Sequence, residues 1–361
     1  MLKRFEVENF KNFKDKFVFD LSETKNYEFN PECVQSGLVS KALIYGVNAC
    51  GKSNLGLAIF DLTAHLKNVG VEPEWYENYL NADSQAEVAQ FKFVFQFDGV
   101  EVEYDYEKKS LGTITRESLK IDGVEVIQYT VGMPLITKLK GTEALKTDLS
   151  DSNISSVIKY IALNSVLDKN ETNTAFLKFF NFATKMVIAP EKASRTQRFT
   201  KYILGEGHLA EFEEFLNEAG VTCKLTAVEI NGEKEIAFAF SNKTIGFWDA
   251  ASTGTKSLAR FYFQLQLLKK ENGISFTFMD EFDAFYHHKL SKLIVRKLKQ
   301  IPAQVILTTH NTSIMTNDLL RPDCYFVMHE NKIAPIYKFT DQELRFAHNL
   351  EKMYKAGVFN D

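Results

Sequence analysis

Gly46-Val47-Asn48-Ala49-Cys50-Gly51-Lys52-Ser53 is the stretch on which the reading of this chain turns. Its form is G-x-x-x-x-G-K-[ST]. It lies between a short apolar run at residues 41–46 and a stretch where Leu55, Ile59, Leu62 and Leu66 recur at helical spacing. The expectation is a buried strand, a glycine-bounded turn and an amphipathic helix over 52–67. In that setting Gly46 and Gly51 let backbone N–H groups curl around phosphate oxygens at a helix N-terminus, with Asn48, Ala49, Cys50 and Asn54 completing the loop. Lys52 would place a point charge on the β and γ phosphates of a nucleotide such as ATP, and Ser53 would offer a hydroxyl to Mg²⁺. A chance glycine turn is the alternative, and the strand-then-helix context argues against it.

Two later segments fit the same chemistry. Phe276-Thr277-Phe278-Met279-Asp280-Glu281 reads as an apolar strand, taken over 274–279, that ends in adjacent carboxylates. Asp280 would serve the metal and Glu281 would act as general base or orient the attacking water, because successive side chains at a strand end point in different directions. Alone, such a pair is more often a solvated turn; the phosphate loop upstream reverses that reading. The apolar run at 305–308 ends in Thr309-His310 and can lie beside the acidic strand, which would make His310 a γ-phosphate sensor rather than a capping or core histidine.

Composition sets the outer limits. With 45% hydrophobic and 25% charged residues over 361 positions, the chain can bury one large core or two modest ones and is not disordered. No apolar run reaches the roughly 18 residues a membrane span needs. The first eight residues, Met1 to Glu8, are too charged for a secretory signal, so the expectation is a cytoplasmic protein with no membrane partner. Cys33, Cys50, Cys223 and Cys324 form no Cys-x-x-Cys pair and read as reduced thiols, Cys50 as a small filler of the loop or as an oxidation-sensitive point within it. A net charge of −4 leaves DNA binding open but not indicated.

Between the motifs, Phe91, Phe93, Phe95 and Phe97 alternate up to Asp98-Gly99, and Val100, Val102, Tyr104 and Tyr106 alternate beyond it, as a hairpin does. Weaker hairpins are expected at Asp122-Gly123 and Asn231-Gly232. Residues 147–220 read as mostly helical with a loop near Pro190. The expected organisation is an N-terminal half of a nucleotide core with an antiparallel subdomain over 1–130, a mostly helical insertion over 131–225, and the second half of the core over 226–361. There is no internal repeat and no heptad seam for a long coiled-coil arm.

In order and spacing these motifs resemble ABC-type P-loop ATPases, the RecF-like and SMC-like group more than transporter subunits. Glu8-Asn9-Phe10-Lys11-Asn12-Phe13 resembles that group's N-terminal strand and turn, and Asp280-Glu281-Phe282-Asp283-Ala284-Phe285-Tyr286-His287 resembles its acidic pair and D-loop. Leu350-Glu351-Lys352-Met353-Tyr354, with Gly357 before Phe359, is similar to the endings of small stand-alone AAA-family ATPases of bacterial anti-phage and abortive-infection systems, including the RloA type. The resemblance implies an α/β P-loop head with an antiparallel β subdomain and a helical insertion. It also implies ATP and Mg²⁺ as cofactors, and a homodimer or higher homo-oligomer whose sites are completed by a signature segment from the facing subunit. Ser252-Thr253-Gly254-Thr255-Lys256 occupies the signature position, with Thr253 in the serine's place and Thr255 replacing the second glycine; on the residues alone the segment reads first as the cap of an amphipathic helix. No glutamine of the coupling loop can be placed, since Gln85, Gln90 and Gln96 fall in or near a strand-like segment.

Two basic groups, Lys289, Lys292, Arg296 and Lys299 on one helical face and Lys185, Lys192, Arg195, Arg198 and Lys201 in the middle region, read as phosphate- or acid-binding surfaces or as solvated faces. His287-His288 lacks a third ligand for a structural metal. The function implied is an ATP-driven switch for a separately encoded effector, a nuclease or toxin, in anti-phage defence. The alternative is a RecF-like repair ATPase that binds DNA. A nuclease in the same chain is not expected, since only about fifty residues follow His310, and a transporter subunit fits least.

Overall fold

The computed structural model describes residues 1–67, 73–150, 154–189, 196–230, 232–270, 273–284 and 286–359. They fall into two compact units, Met1–Ala189 with Ile274–Phe282 and Ala303–Asp361, and Pro190–Gly273 with Asp283–Pro302.

The first unit is built on two large sheets and also holds a two-stranded one, Val34–Gln35 with Leu38–Val39. One has the strand order Met186–Ala189, Phe276–Met279, Gln304–Thr308, Lys41–Tyr45, Tyr325–Met328, Ile333–Pro335, parallel throughout except for the last pair. Every residue of the three central strands is buried. A parallel strand covered on both faces must be apolar at successive positions, which is why these segments read as continuous runs without alternation. Thr277, Gln304 and Thr308 are buried polar residues of the same strands, and Lys41 is the charged exception. Its ammonium donates to Ser40 Oγ at 2.7 Å and to the Ala303 carbonyl at 2.9 Å, and burial pushes its pKa down to about 8.

The other sheet is a seven-stranded antiparallel one, in the order Ile136–Thr137, Val124–Thr130, Thr113–Ile121, Val100–Ser110, Ala89–Phe97, Leu2–Glu8, Phe17–Asp20. Two of its hairpins turn at Asp98-Gly99 and Asp122-Gly123, where all four residues have positive φ (51°, 90°, 46° and 76°) as two-residue turns of this hand require. Phe91, Phe93, Phe95, Val102, Tyr104 and Tyr106 make its buried face, against which Phe179 of the helix Glu171–Thr184 packs. Its other face carries cross-strand ion pairs such as Lys92–Glu103 at 2.7 Å and Lys120–Glu103 at 3.1 Å.

The second unit holds the helices Thr196–Gly205, Leu209–Glu218, Phe247–Ala250, Thr253–Lys269 and His288–Lys299 and a three-stranded antiparallel sheet, Leu225–Ile230, Glu233–Ala239, Thr244–Gly246. The turn residue Asn231 between the first two strands lies outside the described residues, as do Pro190, Lys192, Arg195 and Phe285.

These units cut the chain at 189/190, 273/274, 282/283 and 302/303, and the boundaries 130/131 and 225/226 read from the sequence fall within them. The helices Val157–Asn164 and Glu171–Thr184 belong with the antiparallel sheet, because Phe176, Phe179 and Ile161 are fully buried in the first unit. Met186–Ala189, inside the stretch expected to be mostly helical, is the edge strand of the parallel sheet. The helix expected at 52–67 is found as Lys52–Lys67, and the acidic strand is shorter than expected, Phe276–Met279.

Candidate functional site

The strand Lys41–Tyr45 delivers the chain into the phosphate loop through Gly46, where a Cβ would lie 2.5 Å from the Met328 carbonyl oxygen and 2.7 Å from Cys50 Sγ. Ala49 and Gly51 follow at φ +63° and +105°, the left-handed conformations that curl the loop. Lys52 folds back over it. Its Nζ donates to the Gly46 carbonyl at 2.9 Å and the Val47 carbonyl at 3.0 Å and lies 3.9 Å from the buried Cys50 Sγ. Val47, Asn48, Ala49 and Ser53 are exposed, so the loop opens to solvent where a phosphate would approach.

Two neighbours of this loop were not assigned from the sequence. Asn12 rests on Gly51, at the spot a Cβ there would occupy, with 2.4 Å to its Nδ2. Its Oδ1 accepts from Asn54 Nδ2 at 2.7 Å, while its own Nδ2 is buried without a partner. The turn that carries it there puts Asn9 and Lys11 at φ +54° and +49° and is tied down by the Lys11 amide on the Tyr79 carbonyl at 3.0 Å. The second neighbour is Tyr354 in the C-terminal helix Leu350–Lys355, whose ring lies 5.8 Å from that of Tyr45. Burial and the nearby Cys50 thiol raise its phenol pKa.

The helix Lys52–Lys67 meets the acidic strand at Gly56, whose position leaves the Phe278 ring no more room than a hydrogen needs. That approach brings Ser53 Oγ to 2.5 Å from Asp280 Oδ2. The other oxygen, Asp280 Oδ1, accepts from Thr308 Oγ1 at 2.6 Å, and the same hydroxyl accepts the Glu281 amide at 2.7 Å. Glu281 has φ +44°, a left-handed conformation that a non-glycine residue adopts at a cost of about 1–3 kcal/mol and that marks functional sites. Its Oε1 lies 3.8 Å from His310 Nε2, with both side chains about half exposed (58% and 42%). His310 is placed there by its strand: the Thr309 amide donates to the Ile44 carbonyl at 3.1 Å, next to the phosphate loop.

Lys52, Ser53, Asp280, Glu281 and His310, far apart in sequence, are thus brought to neighbouring strand ends of one sheet. Ser53 and Asp280 together present hard oxygen donors, the kind Mg²⁺ takes while keeping several waters. A bound Mg²⁺ would neutralise phosphate charge there.

At its far end the same helix is held by polar groups inside the core. Asp61 accepts from Lys108 Nζ at 2.6 Å, Tyr106 at 2.9 Å and Tyr79 at 2.8 Å. His65 joins Tyr104 at 3.1 Å, and Tyr104 donates to Glu117 at 2.6 Å. Burial lowers the His65 pKa well below its usual value, helped by the Lys108 charge, and burial raises that of Glu117.

The segment read as a signature opens the helix Thr253–Lys269 in the second unit. Ser252 caps it, accepting the Thr255 amide at 3.1 Å. Thr253 is exposed and Gly254 half-buried, whereas Thr255 is only 8% exposed and its hydroxyl pairs with Ser252 Oγ at 2.9 Å. Of the basic groups, Lys289, Arg296, Arg198 and Lys201 are exposed. Gln90 and Gln96 lie in the strand Ala89–Phe97. The His287 and His288 rings lie 3.9 Å apart and tilted by 46°, and no group of three or more metal-ligating side chains occurs among the described residues.

A family model described as "AAA domain, putative AbiEii toxin, Type IV TA system" matches residues 159–316, which take in Thr253, Asp280, Glu281 and His310 but not the phosphate loop. Among solved structures, an SMC head bound to the C-terminal winged-helix domain of ScpA superposes with a TM-score of 0.51, at 16% identity over 93% of this chain and 97% of that one. The chain has the ABC-type P-loop fold of an SMC head. An SMC head with coiled coil and joint from Pyrococcus yayanosii gives 0.49 at 11% identity, covering 98% and 99% of the two chains. A RecF–ATP structure gives 0.43 at 17% identity, covering 93% and 99%. No curated protein matches. The described helices do not exceed 17 residues, and none is long and apolar enough to cross a membrane.

Proposed function

We propose that the protein binds Mg²⁺-ATP at the phosphate loop and hydrolyses it in a composite site formed when two copies meet face to face. The observation that carries this reading is the convergence of Lys52, Ser53, Asp280, Glu281 and His310 at adjacent strand ends. Lys52 would leave the loop carbonyls for the β and γ phosphates, whose negative charge attracts the ammonium more strongly than two neutral oxygens do. Glu281, exposed and beside His310, is placed to orient a water and accept its proton, with His310 as the group that senses the γ phosphate. Exposed Thr253, at the N-terminus of a 17-residue helix, would complete the site of the facing copy.

On this reading hydrolysis opens the dimer and the movement controls a separately encoded effector, a nuclease or toxin, in anti-phage defence. The toxin-system family matched by residues 159–316 supports that role. The deciding experiment is the solution mass of Glu281→Gln with and without Mg²⁺-ATP. A doubling that depends on nucleotide is expected, because unhydrolysed ATP holds the two faces together. Tight ATP binding by a protein that stays monomeric would sink the composite site, and Thr253 would be the first role to go.

A further inference from the structure

Thr308 ends the histidine strand and is fully buried. A buried threonine in a parallel strand needs only to satisfy its own hydroxyl, which a neighbouring carbonyl would do. Here the hydroxyl is aimed elsewhere. It accepts from the Glu281 amide at 2.7 Å and donates to Asp280 Oδ1 at 2.6 Å, so its donor and acceptor capacities both go to the acidic pair. Asp280 is then gripped at each oxygen, by Thr308 on one side and Ser53 on the other, which fixes the plane of its carboxylate. Glu281 is held in its left-handed backbone by the same hydroxyl, and the next amide, of Phe282, donates to the Thr308 carbonyl at 3.2 Å.

We propose that Thr308 is a positioning residue for ATP hydrolysis: one hydroxyl sets the Asp280 carboxylate toward the metal position and holds the Glu281 backbone so that its carboxylate meets His310. The proposal rests on the reading of the site as an Mg²⁺-ATP site. Valine has nearly the shape of threonine, so Thr308→Val removes the hydroxyl, strands the Glu281 amide and frees Asp280 Oδ1, with little change in volume. Serine keeps the hydroxyl, and Thr308→Ser is the rescue.

The test measures binding of a fluorescent ATP analogue in EDTA and in Mg²⁺, kcat and KM for hydrolysis, and the urea midpoint of each variant. In Thr308→Val the gain in affinity on adding Mg²⁺ should shrink and kcat should fall, each by about 10- to 100-fold, the usual cost of losing a group that orients a ligand. Affinity in EDTA should stay within about twofold, since Lys52 and the loop backbone are untouched. Thr308→Ser should recover most of both losses. Should the valine variant not fold, Thr308→Cys, with similar bulk and a weak hydrogen-bonding thiol, must fall between wild type and the predicted loss. A Thr308→Val protein with wild-type kcat and wild-type Mg²⁺ gain overturns the proposal, as does a serine variant that fails equally. A wild-type protein that neither binds nor hydrolyses ATP overturns the ATPase reading and takes this proposal with it, an outcome the wild-type control separates from the first.

Discussion

Gly56→Ala is the substitution that should separate packing from chemistry most cleanly. A Cβ at Gly56 would lie 2.7 Å from Phe278 Cε1 and 2.8 Å from Cδ1. Carbon atoms in contact rest at about 3.5–4.0 Å, so one side must move by about 1 Å. The ring has nowhere to go: Phe278 is fully buried on a strand paired on both sides, with Met186–Ala189 and Gln304–Thr308. In an unobstructed helix the change would stabilise by about 1 kcal/mol through helix propensity. Overpacking a rigid core costs about 1–3 kcal/mol. The expected net effect is therefore a destabilisation of about 1 kcal/mol, set by the excess of overpacking over propensity.

Function should suffer more than stability. Ser53 lies one turn before Gly56 and Asp280 two residues after Phe278, so pushing helix and strand apart opens the 2.5 Å contact between them. A displacement near 1 Å at a reacting centre can lower turnover by about 100-fold. Urea unfolding and steady-state hydrolysis measured on the same preparations read both effects. Phe278→Leu removes the obstructing ring edge, so Gly56→Ala/Phe278→Leu should be more stable than the two single changes predict by about 1 kcal/mol or more. If Gly56→Ala is more stable than wild type and hydrolyses at the wild-type rate, the helix and strand are not held in register by this contact, and the argument fails.

Lys108→Met should destabilise by about 3–5 kcal/mol in urea unfolding, because it leaves the fully buried Asp61 carboxylate without its cation. Adding Asp61→Asn should restore much of that, and a double variant as unstable as the sum would show that the charge pair is not the cause. His65, whose folded pKa is depressed by burial and by Lys108, stays neutral while the unfolded chain takes up a proton below about pH 6.5. Its contribution is present above that pH and lost as pH falls, so His65→Gln should flatten the decline in unfolding free energy between about pH 6.5 and 5; an unchanged slope assigns the decline to other groups. Ser252→Ala should cost about 1 kcal/mol of stability through loss of the helix cap. Thr253→Ala should leave the urea midpoint alone and lower only the hydrolysis rate, and equal activity would remove Thr253 from the site.

What could be read in advance was whatever a contiguous stretch imposes on itself. The glycine-lysine loop declares its own backbone, Asp98-Gly99 and Asp122-Gly123 declare their turns, and a strand buried on both faces shows as a short, mostly apolar run. Met186–Ala189 escaped because four apolar residues directly after an amphipathic helix carry no turn signal to part them from it. Asn12 and Thr308 escaped for a different reason. Asparagine in a turn and threonine in a strand are ordinary for those places, and their roles arise only when the fold lays one on Gly51 and turns the other toward Asp280. Thr255 pairs its hydroxyl with Ser252 Oγ in the helix cap, the arrangement that the capped-helix reading of this segment implied. Residue pattern reports what a segment must bury; it does not report which distant polar atom completes a hydrogen bond. The acidic pair was legible because the phosphate loop demanded a partner strand, whereas the hydroxyl that orients the pair had no such upstream signal. A site of this kind is therefore read most securely at its charges and least securely at the neutral groups that aim them, and those are the groups that Thr308→Val and Gly56→Ala address.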